Sequence, residues 1–284
     1  MSAIKGTLYV VATPIGNLGD MSARAIETLS TVDLIAAEDT RHSGVLLRHF
    51  AISTRCMAYH EHNESKCAAF LIDRLKSGDS IALISDAGTP LISDPGYHLV
   101  KQVLETGCPV IVVPGPSAVT SALSVSGLPT DRFVFEGFLP AKKAARIQHL
   151  ERLKEDDRTL IFYETPHRIV ASLMDMVAVF GPERCAVIAR ELTKRFETVR
   201  SSCLSDLVAW VANDADQQKG EIVVLIHGAS GKVSRQEDAE LDRVLGILLD
   251  QLPVKQSVAM AVQLTGVKKN KVYEHAIRLV ENSP

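Results

Sequence analysis

The sequence contains no long hydrophobic run, no paired cysteines and no excess of positive charge. No apolar stretch approaches the roughly 20 residues of a membrane-spanning helix, and residues 1–7 lack the apolar segment of a signal peptide. The five cysteines are scattered and form no CxxC pair, which argues against a disulfide framework or a zinc site and favours the cytoplasm. The net charge of −3 means that any contact with nucleic acid must come from a local basic patch.

A phosphate-binding fingerprint is also absent. The first strand, turn and helix start read YVVATPIGNLGD at residues 9–20, which is neither GxGxxG nor a P-loop. A dehydrogenase that binds a dinucleotide is therefore excluded. The segment is either a plain turn between strand and helix or one wall of a cleft for another ligand.

Alternating strand-like and helix-like segments predict two α/β domains. Strands are predicted at residues 7–13, 32–37, 54–59, 81–84, 110–113, 133–138, 159–163, 186–190, 197–202 and 222–226. Helices are predicted at residues 20–30, 41–50, 64–76, 95–106, 117–126, 141–154, 166–180 and 205–213. Alternation favours a parallel first sheet, whereas strands 186–190 and 197–202 are close enough to pair as a hairpin and make the second sheet mixed.

The remaining chain, from residue 230, is predicted to be all-helical. Linkers at 127–131 and 228–232 give domains at 1–127, 128–229 and 230–284. Helices are expected at residues 238–252, 255–264 and 270–281, the last two joined by a turn at Gly266, which is a helix-turn-helix pattern. Lys268, Lys269 and Lys271 begin the last helix, where contacts with phosphate would form. The alternative is a solvated helical cap or a dimer element.

Two loops rich in Gly, Pro, Ser and Thr follow apolar runs and are the best candidates for a ligand site. They read SDAGTPLISDPG at residues 85–96 and PGPSAVT at residues 114–120. Loops at the carboxyl ends of parallel strands form the ligand crevice of open α/β sheets. Asp94, which precedes Pro95, is interpreted as the N-cap of the next helix. Asp86 and Thr89 are expected to face a ligand.

Polar segments follow four further strands. Residues 38–42 read EDTRH, where Asp39 or Thr40 is either a helix cap or part of the same sheet edge as the glycine loops. Residues 59–64 read YHEHNE, whose spacing matches no zinc pattern, so no metal is predicted. Residues 162–168 and 189–197 place Arg, Lys and Glu past apolar runs, either as solvated loops or as a surface that faces the substrate.

These motifs together resemble the ribosomal RNA small subunit methyltransferase I family, a branch of the tetrapyrrole-methylase superfamily of class III S-adenosylmethionine-dependent enzymes. The resemblance rests on residues 11–20, 37–41, 85–96, 113–117, 162–168 and 189–197 and covers nearly the whole chain. It implies two α/β domains with the methyl donor in the cleft between them, and a homodimer. It further implies methylation of the 2′-hydroxyl of cytidine 1402 in the decoding centre of 16S rRNA, within the small ribosomal subunit.

The resemblance also assigns residues to the S-adenosylmethionine site. These are Ile15, Gly16, Asp86, Thr89, Pro90, Ile92, Gly115, Ser117, Ala118, Tyr163, Leu192, Glu221 and Ile222. A ribose hydroxyl is a weak nucleophile, so a group that takes its proton should help transfer. We expect Glu38 or Asp39 to act as base or orienter, with Arg41 and His60 holding the ribose and phosphate. Arg168, Arg190 and Lys194 are expected to contact RNA phosphate.

Two other functions fit parts of the pattern. A methylase of small tetrapyrroles would use the same superfamily fold, although it has no need of a basic helical tail. A non-enzymatic regulator would use the tail as a nucleic-acid reader and the α/β body as a ligand sensor. Turnover of labelled S-adenosylmethionine would exclude the regulator.

Overall fold

The computed structural model describes residues 6–60, 63–229, 232–267 and 269–281. Its Cα packing divides the chain into two compact units. The first comprises Met1–Glu151 and Thr159–His227, and the second comprises Arg152–Arg158 and Gly228–Pro284. In the described part of the chain, no helix is both long enough and apolar enough to cross a membrane.

The first unit begins with a five-stranded, fully parallel sheet. Its strands are β1 (Leu8–Val11), β2 (Leu34–Ala37), β3 (Cys56–Ala58), β4 (Ile81–Ile84) and β5 (Val110–Val113), in the order β3-β2-β4-β1-β5. The central strands β2 and β4 are buried along their whole length, as expected for a sheet covered by helices on both faces. This burial explains why they read as continuous apolar runs.

Five α-helices connect and follow these strands. They are α1 (Ala23–Thr31), α2 (Thr40–His49), α3 (Glu64–Lys76), α4 (Tyr97–Glu105) and α5 (Ala118–Ser126). Helix α1 is capped by the Ser22 hydroxyl, which accepts from the Ala25 N–H at 3.1 Å. The helix predicted from residue 20 begins later than expected, because Leu18–Asp20 forms a short 3-10 helix before α1 begins.

A second five-stranded sheet in the same unit is mixed, as predicted. Its strands are β6 (Phe133–Phe138), β7 (Thr159–Glu164), β8 (Cys185–Arg190), β9 (Thr198–Cys203) and β10 (Ile222–Ile226), in the order β6-β7-β10-β8-β9. Strands β6 and β7 are parallel and the other pairs are antiparallel. Helices α6 (Lys143–Leu153), α7 (Ile169–Phe180) and α8 (Leu204–Asn213) complete the set. The predicted hairpin of β8 and β9 is confirmed, with Arg190 opposite Thr198.

The second unit contains three helices, α9 (Lys232–Leu249), α10 (Val254–Thr265) and α11 (Lys269–Glu281). Their shared core consists of Leu241, Leu245, Val258, Ala261, Val272 and Ala276. Gly266 has a φ of +71° and ends α10, a left-handed conformation that glycine adopts without strain. The α/β fold class with a helical extension is thus confirmed, and the predicted helix-turn-helix spacing matches α10 and α11.

Candidate functional site

A cavity in the first unit lies where loops from both sheets meet. Its volume is about 280 Å³, close to the lower end of the range for small-molecule sites. The first sheet contributes Ile15, Ala87, Gly88, Thr89, Ile92, Ser93, Asp94, Ser117 and Ala118, and the second contributes Phe138, Tyr163, Glu164, Thr165, Pro166, Ala189, Leu192, Gly220, Glu221, Ile222 and Val223. The cavity therefore opens at the carboxyl ends of the parallel strands, as the two glycine-rich loops predicted.

Hydrogen bonds fix the loop after β4 against its neighbours. Thr13 and Gly88 exchange two backbone hydrogen bonds, at 2.8 and 3.0 Å. The Thr89 hydroxyl donates to the Pro116 carbonyl at 3.0 Å and so joins the loops that follow β4 and β5. Gly88 has a φ of +81°, and a Cβ there would lie 3.3 Å from the Ile15 side chain. A larger residue would be strained and would crowd the cavity wall.

Most of the residues assigned to the methyl donor line this cavity. They are Ile15, Thr89, Ile92, Ser117, Ala118, Tyr163, Leu192, Glu221 and Ile222. Gly16, Asp86, Pro90 and Gly115 are not among the lining residues. A Cβ on Gly115 would lie 3.1 Å from that of Ala12, so Gly115 permits close backbone packing behind the wall. Gly16 lies beneath the side chain of Lys194.

Asp94 lines the cavity, although its sequence context predicts that it caps a helix. The predicted cap is wrong, since α4 begins at Tyr97 and its N-cap is Gly96, whose φ is +125°. Burial, together with the nearby charges of Glu38 and Asp86, raises the pKa of Asp94 to about 6, against the opposing effect of a hydrogen bond with Ser85. Leu91 and Ser93, with φ of +74° and +66°, carry the strain that turns this loop. The sequence predicts a cap at Asp94 because the dipeptide Asp-Pro is common at the start of a helix.

Glu38 and Asp39 lie one loop away from the cavity. The Asp39 N–H donates to Asp86 Oδ1 at 3.1 Å, and the Asp86 N–H donates to Glu38 Oε2 at 3.3 Å. Asp39 also caps α2 by accepting from the Arg41 N–H at 2.8 Å, so the capping interpretation of this segment is confirmed. These bonds connect the end of β2 to the loop that follows β4.

Arg41 and Asp39 form an exposed ion pair. Their side chains meet at 2.8 Å, and the Arg41 side chain is 90% exposed. The Arg41 guanidinium and the backbone N–H of Arg41 hold the pKa of the Asp39 carboxyl well below its usual range. A carboxylate with so low a proton affinity is a poor general base. Arg41 presents its charge to solvent, where a phosphate can reach it.

His60 follows β3 but does not line the cavity. Its backbone N–H donates to Asn63 Oδ1 at 2.9 Å, and the Asn63 amide donates to the Ala58 carbonyl at 3.1 Å. The Tyr59 hydroxyl donates to Glu64 at 2.7 Å. Among the residues that the structure describes, no cluster of three or more His, Cys, Asp or Glu side chains could hold a metal ion.

The structure corrects the predicted RNA contact at Arg190. Its guanidinium is buried, with a relative exposure of 6%. It donates to Gln217, to the backbone carbonyls of Lys219 and Phe196, and to Thr198. A buried guanidinium whose donors are used within its own chain is not available to a phosphate, so Arg190 holds the end of the β8–β9 hairpin.

Arg168 and Lys194 also bind carboxylates of their own chain. Arg168 pairs with the fully buried Glu164 at 2.9 Å. The Lys194 ammonium donates to Glu191 at 2.9 Å and to Glu221 at 3.0 Å. These hydrogen bonds, acting against burial, raise the pKa of Lys194 and lower that of Glu191. Both cations act at the cavity rim by holding acidic residues in place.

The lysines predicted to begin the last helix of the tail differ in how exposed they are. Lys269 is exposed and begins α11, while Lys271 is partly buried in its first turn. Lys268 lies outside the described residues. The start of α11 thus presents positive charge on the second helix of the pair, the position expected for contacts with phosphate.

The cavity is acidic. Its ionisable lining residues in the described chain are Asp94, Glu164, Glu221 and Tyr163, with no Lys, Arg or His among them. Burial, followed by the charge of Asp94, raises the pKa of Tyr163 to about 12, so it stays neutral. Arg168 neutralises Glu164 from outside the lining. Lys194 likewise binds Glu221, so the charge that favours a cationic ligand and opposes a phosphate is mainly that of Asp94.

Comparisons with known proteins agree with this geometry. The family model of Tetrapyrrole (Corrin/Porphyrin) Methylases matches residues 7–208. A model described as the RsmI C-terminal HTH domain matches residues 235–279. Solved structures similar in fold include a uroporphyrin-III-C-methyltransferase from Thermus thermophilus, with a TM-score of 0.57 and 19% identity over 78% of this chain and 94% of that one. The cobalt precorrin-4 methyltransferase CbiF has a TM-score of 0.59 and 13% identity, with 78% and 94% coverage.

Curated relatives match along nearly the whole chain, tail included. One from Pseudomonas aeruginosa is 56% identical and covers 96% of this chain and 97% of its own length. One from Escherichia coli O157:H7 is 50% identical, with 96% and 95% coverage. Both are named ribosomal RNA small subunit methyltransferase I. This chain belongs to the ribosomal RNA small subunit methyltransferase I family, within the tetrapyrrole methylases.

Proposed function

We propose that this protein uses S-adenosylmethionine to methylate the 2′-hydroxyl of cytidine 1402 in the decoding centre of 16S rRNA. The observation that carries the proposal is the acidic cavity where loops of the two sheets meet. The tail, with a positively charged start to α11, is the second feature that favours RNA over a small tetrapyrrole. We further propose that the enzyme is cytoplasmic, acts as a homodimer and takes the small ribosomal subunit as its substrate.

The cavity residues fit a sulfonium compound. S-adenosylmethionine supplies an electrophilic methyl group on a positively charged sulfur. Asp94 offers negative charge in the lining, and Glu221 adds a second carboxylate, which is bound by Lys194 from outside the lining. Ile15, Ile92 and Leu192 provide apolar walls of the kind that an adenine and a methyl group need. The turn at Gly88 leaves the backbone open to a ligand.

Glu38 is the better candidate for accepting the proton of the ribose hydroxyl. Asp39 is held in its ionised form by Arg41, which leaves it a low affinity for a proton. Glu38 accepts one hydrogen bond from the Asp86 backbone and lies close enough to Asp94 to raise the pKa of that carboxyl. Its carboxylate therefore lies within electrostatic reach of a residue that lines the cavity.

RNA contact is assigned to Arg41, Lys269 and Lys271. Arg41 is exposed beside the cavity loops, and Lys269 and Lys271 begin α11. Cations of this kind bind phosphates irrespective of sequence and position the substrate. His60 remains a candidate for the ribose because it follows β3, next to β2 and α2 in the sheet.

Methyl transfer to ribosomal subunits tests the proposal. Purified protein is incubated with methyl-labelled S-adenosylmethionine and small subunits from a strain that lacks this modification, with naked 16S rRNA in parallel. Digestion of the RNA should yield labelled 2′-O-methylcytidine at position 1402. The assignment would be refuted if the label were found on a base or at another nucleotide. It would also be refuted if neither RNA were labelled although the protein still binds the donor.

A further inference from the structure

The loop between β8 and β9 contributes to the cavity wall and also carries an exposed aromatic residue. Residues 191–197 form this loop, and Leu192 within it lines the cavity. Phe196, four positions later, is 63% exposed. It is the most exposed phenylalanine in the described part of the chain, although burial of such a side chain is favourable.

The loop is held in place, so the exposure of Phe196 does not come from a lack of contacts. The buried Arg190 donates to the Phe196 carbonyl at 3.1 Å. The Thr193 N–H donates to the Glu197 carboxylate at 2.6 Å. Lys194 is bound by Glu191 and Glu221. The phenyl ring is therefore presented to solvent from a fixed backbone.

Backbone strain also marks this loop. Glu191 and Thr193 have φ values of +51° and +65°, in the left-handed region that is unfavourable for side chains other than glycine. Such strain persists where the surroundings impose it, and it is common at ligand sites. Here the two strained residues flank Leu192 of the cavity wall, and the exposed ring follows three positions after Thr193.

A cation accompanies the ring. The Arg195 guanidinium carbon lies 5.5 Å from the centroid of the Phe196 ring, within the range of a cation–π contact. The nearby Glu197 carboxylate is already bound to the Thr193 backbone. Aromatic rings and guanidinium planes are both surfaces on which unpaired bases stack in RNA-binding proteins.

We propose that Phe196, backed by Arg195, stacks on an RNA base next to the methylated cytidine. The inference rests on the proposed function. A ribose hydroxyl bound beside the cavity brings the neighbouring bases to the protein surface, where an exposed ring can serve as a stacking partner. The Phe196 ring, on the loop that also carries Leu192 of the cavity lining, stacks on one of these bases and so stabilises the bound RNA.

The test uses the full-length protein, unmodified small subunits and labelled S-adenosylmethionine. Phe196→Ala should raise KM for the subunits about tenfold, the loss of one base stack, while kcat and the Kd of S-adenosylmethionine stay unchanged. Phe196→Trp keeps a stacking face and should retain the parent KM. Phe133→Ala is the matched control, because Phe133 is also exposed, at 42%, but pairs with Thr159 at the other end of the same sheet.

Several outcomes would overturn the proposal. An unchanged KM for Phe196→Ala, or a Trp variant as impaired as the Ala variant, removes the stacking role. A change in molar mass by light scattering for Phe196→Ala would show that the ring belongs to an interface between protein chains. If the parent protein transfers no label to RNA, the proposed function itself fails, and stacking fails with it.

Discussion

The Asp86 carboxylate accepts a hydrogen bond from the Asp39 backbone N–H at 3.1 Å, across 47 residues of sequence. This contact joins the loop after β4, which lines the cavity, to the start of α2, which carries Arg41. Asp86 itself does not line the cavity. The carboxylate that the family resemblance assigned to the donor is thus placed to position the neighbouring strand end, where Glu38 lies.

Replacing Asp86 with alanine should separate donor binding from methyl transfer. We expect kcat to fall at least about tenfold, the effect of losing one orienting hydrogen bond of about 1.4 kcal/mol, because Glu38 and α2 lose their anchor. The Kd of S-adenosylmethionine, measured by calorimetry, should change less than kcat does. A large rise in that Kd with unchanged kcat would instead support direct donor contact by Asp86.

Asp94→Asn should weaken donor binding by removing a carboxylate from the cavity. The loss should be about tenfold or more at pH 8, where Asp94 is ionised, and should shrink as the pH falls below about 6, the pKa of this carboxyl. Calorimetric titration of parent and variant between pH 5 and 8 gives the comparison. Glu221→Gln is a useful second variant, since its carboxylate is more exposed and should matter less.

The same substitution should make the protein more stable at neutral pH. Burial disfavours the ionised Asp94, so its folded pKa of about 6 lies above the model-peptide value of 3.8. The native state therefore carries a cost that is complete above pH 6 and disappears as the pH falls toward 4. After allowance for solvent screening, Asp94→Asn should gain about 1 kcal/mol at pH 7. Urea unfolding at pH 7 and pH 4 should show this gain at the higher pH only.

Arg190→Ala should damage the fold and leave the salt dependence of RNA binding unchanged. Removing the buried guanidinium leaves the Phe196 and Lys219 carbonyls without their hydrogen-bond donor and opens the end of the hairpin. The free energy of unfolding should fall by about 2–4 kcal/mol. Thermal unfolding measures the loss, with the exposed Arg55→Ala as the control that should leave Tm unchanged. A stable variant with a reduced salt slope would restore Arg190 as a phosphate contact.

The strands of both sheets could be predicted from local sequence patterns. The roles of several site residues could not, because they depend on contacts between residues that are distant in the sequence. β4 is buried on both faces, so its sequence is apolar throughout and identifies a strand without further information. Asp94 looked like a cap because Asp-Pro is typical of helix starts, and only the backbone turn at Gly96 shows otherwise. Arg190 is the last residue of an apolar strand, a position at which a cation is commonly exposed to solvent. Its burial depends on Gln217 and Thr198, whose proximity the sequence around Arg190 does not reveal.

Lys269 and Lys271 provide the final prediction, which concerns the tail. If both bind phosphate, the double variant Lys269→Ala/Lys271→Ala should lower the slope of log K for RNA against log salt by about 2. The Kd of S-adenosylmethionine should not change, because the lining residues of the cavity lie in the other unit. Lys76→Ala/Lys101→Ala removes the same charge from exposed positions of α3 and α4 and should leave the slope near that of the parent. Equal slopes for the two double variants would mean that only overall charge matters, and that α11 makes no specific contact with RNA.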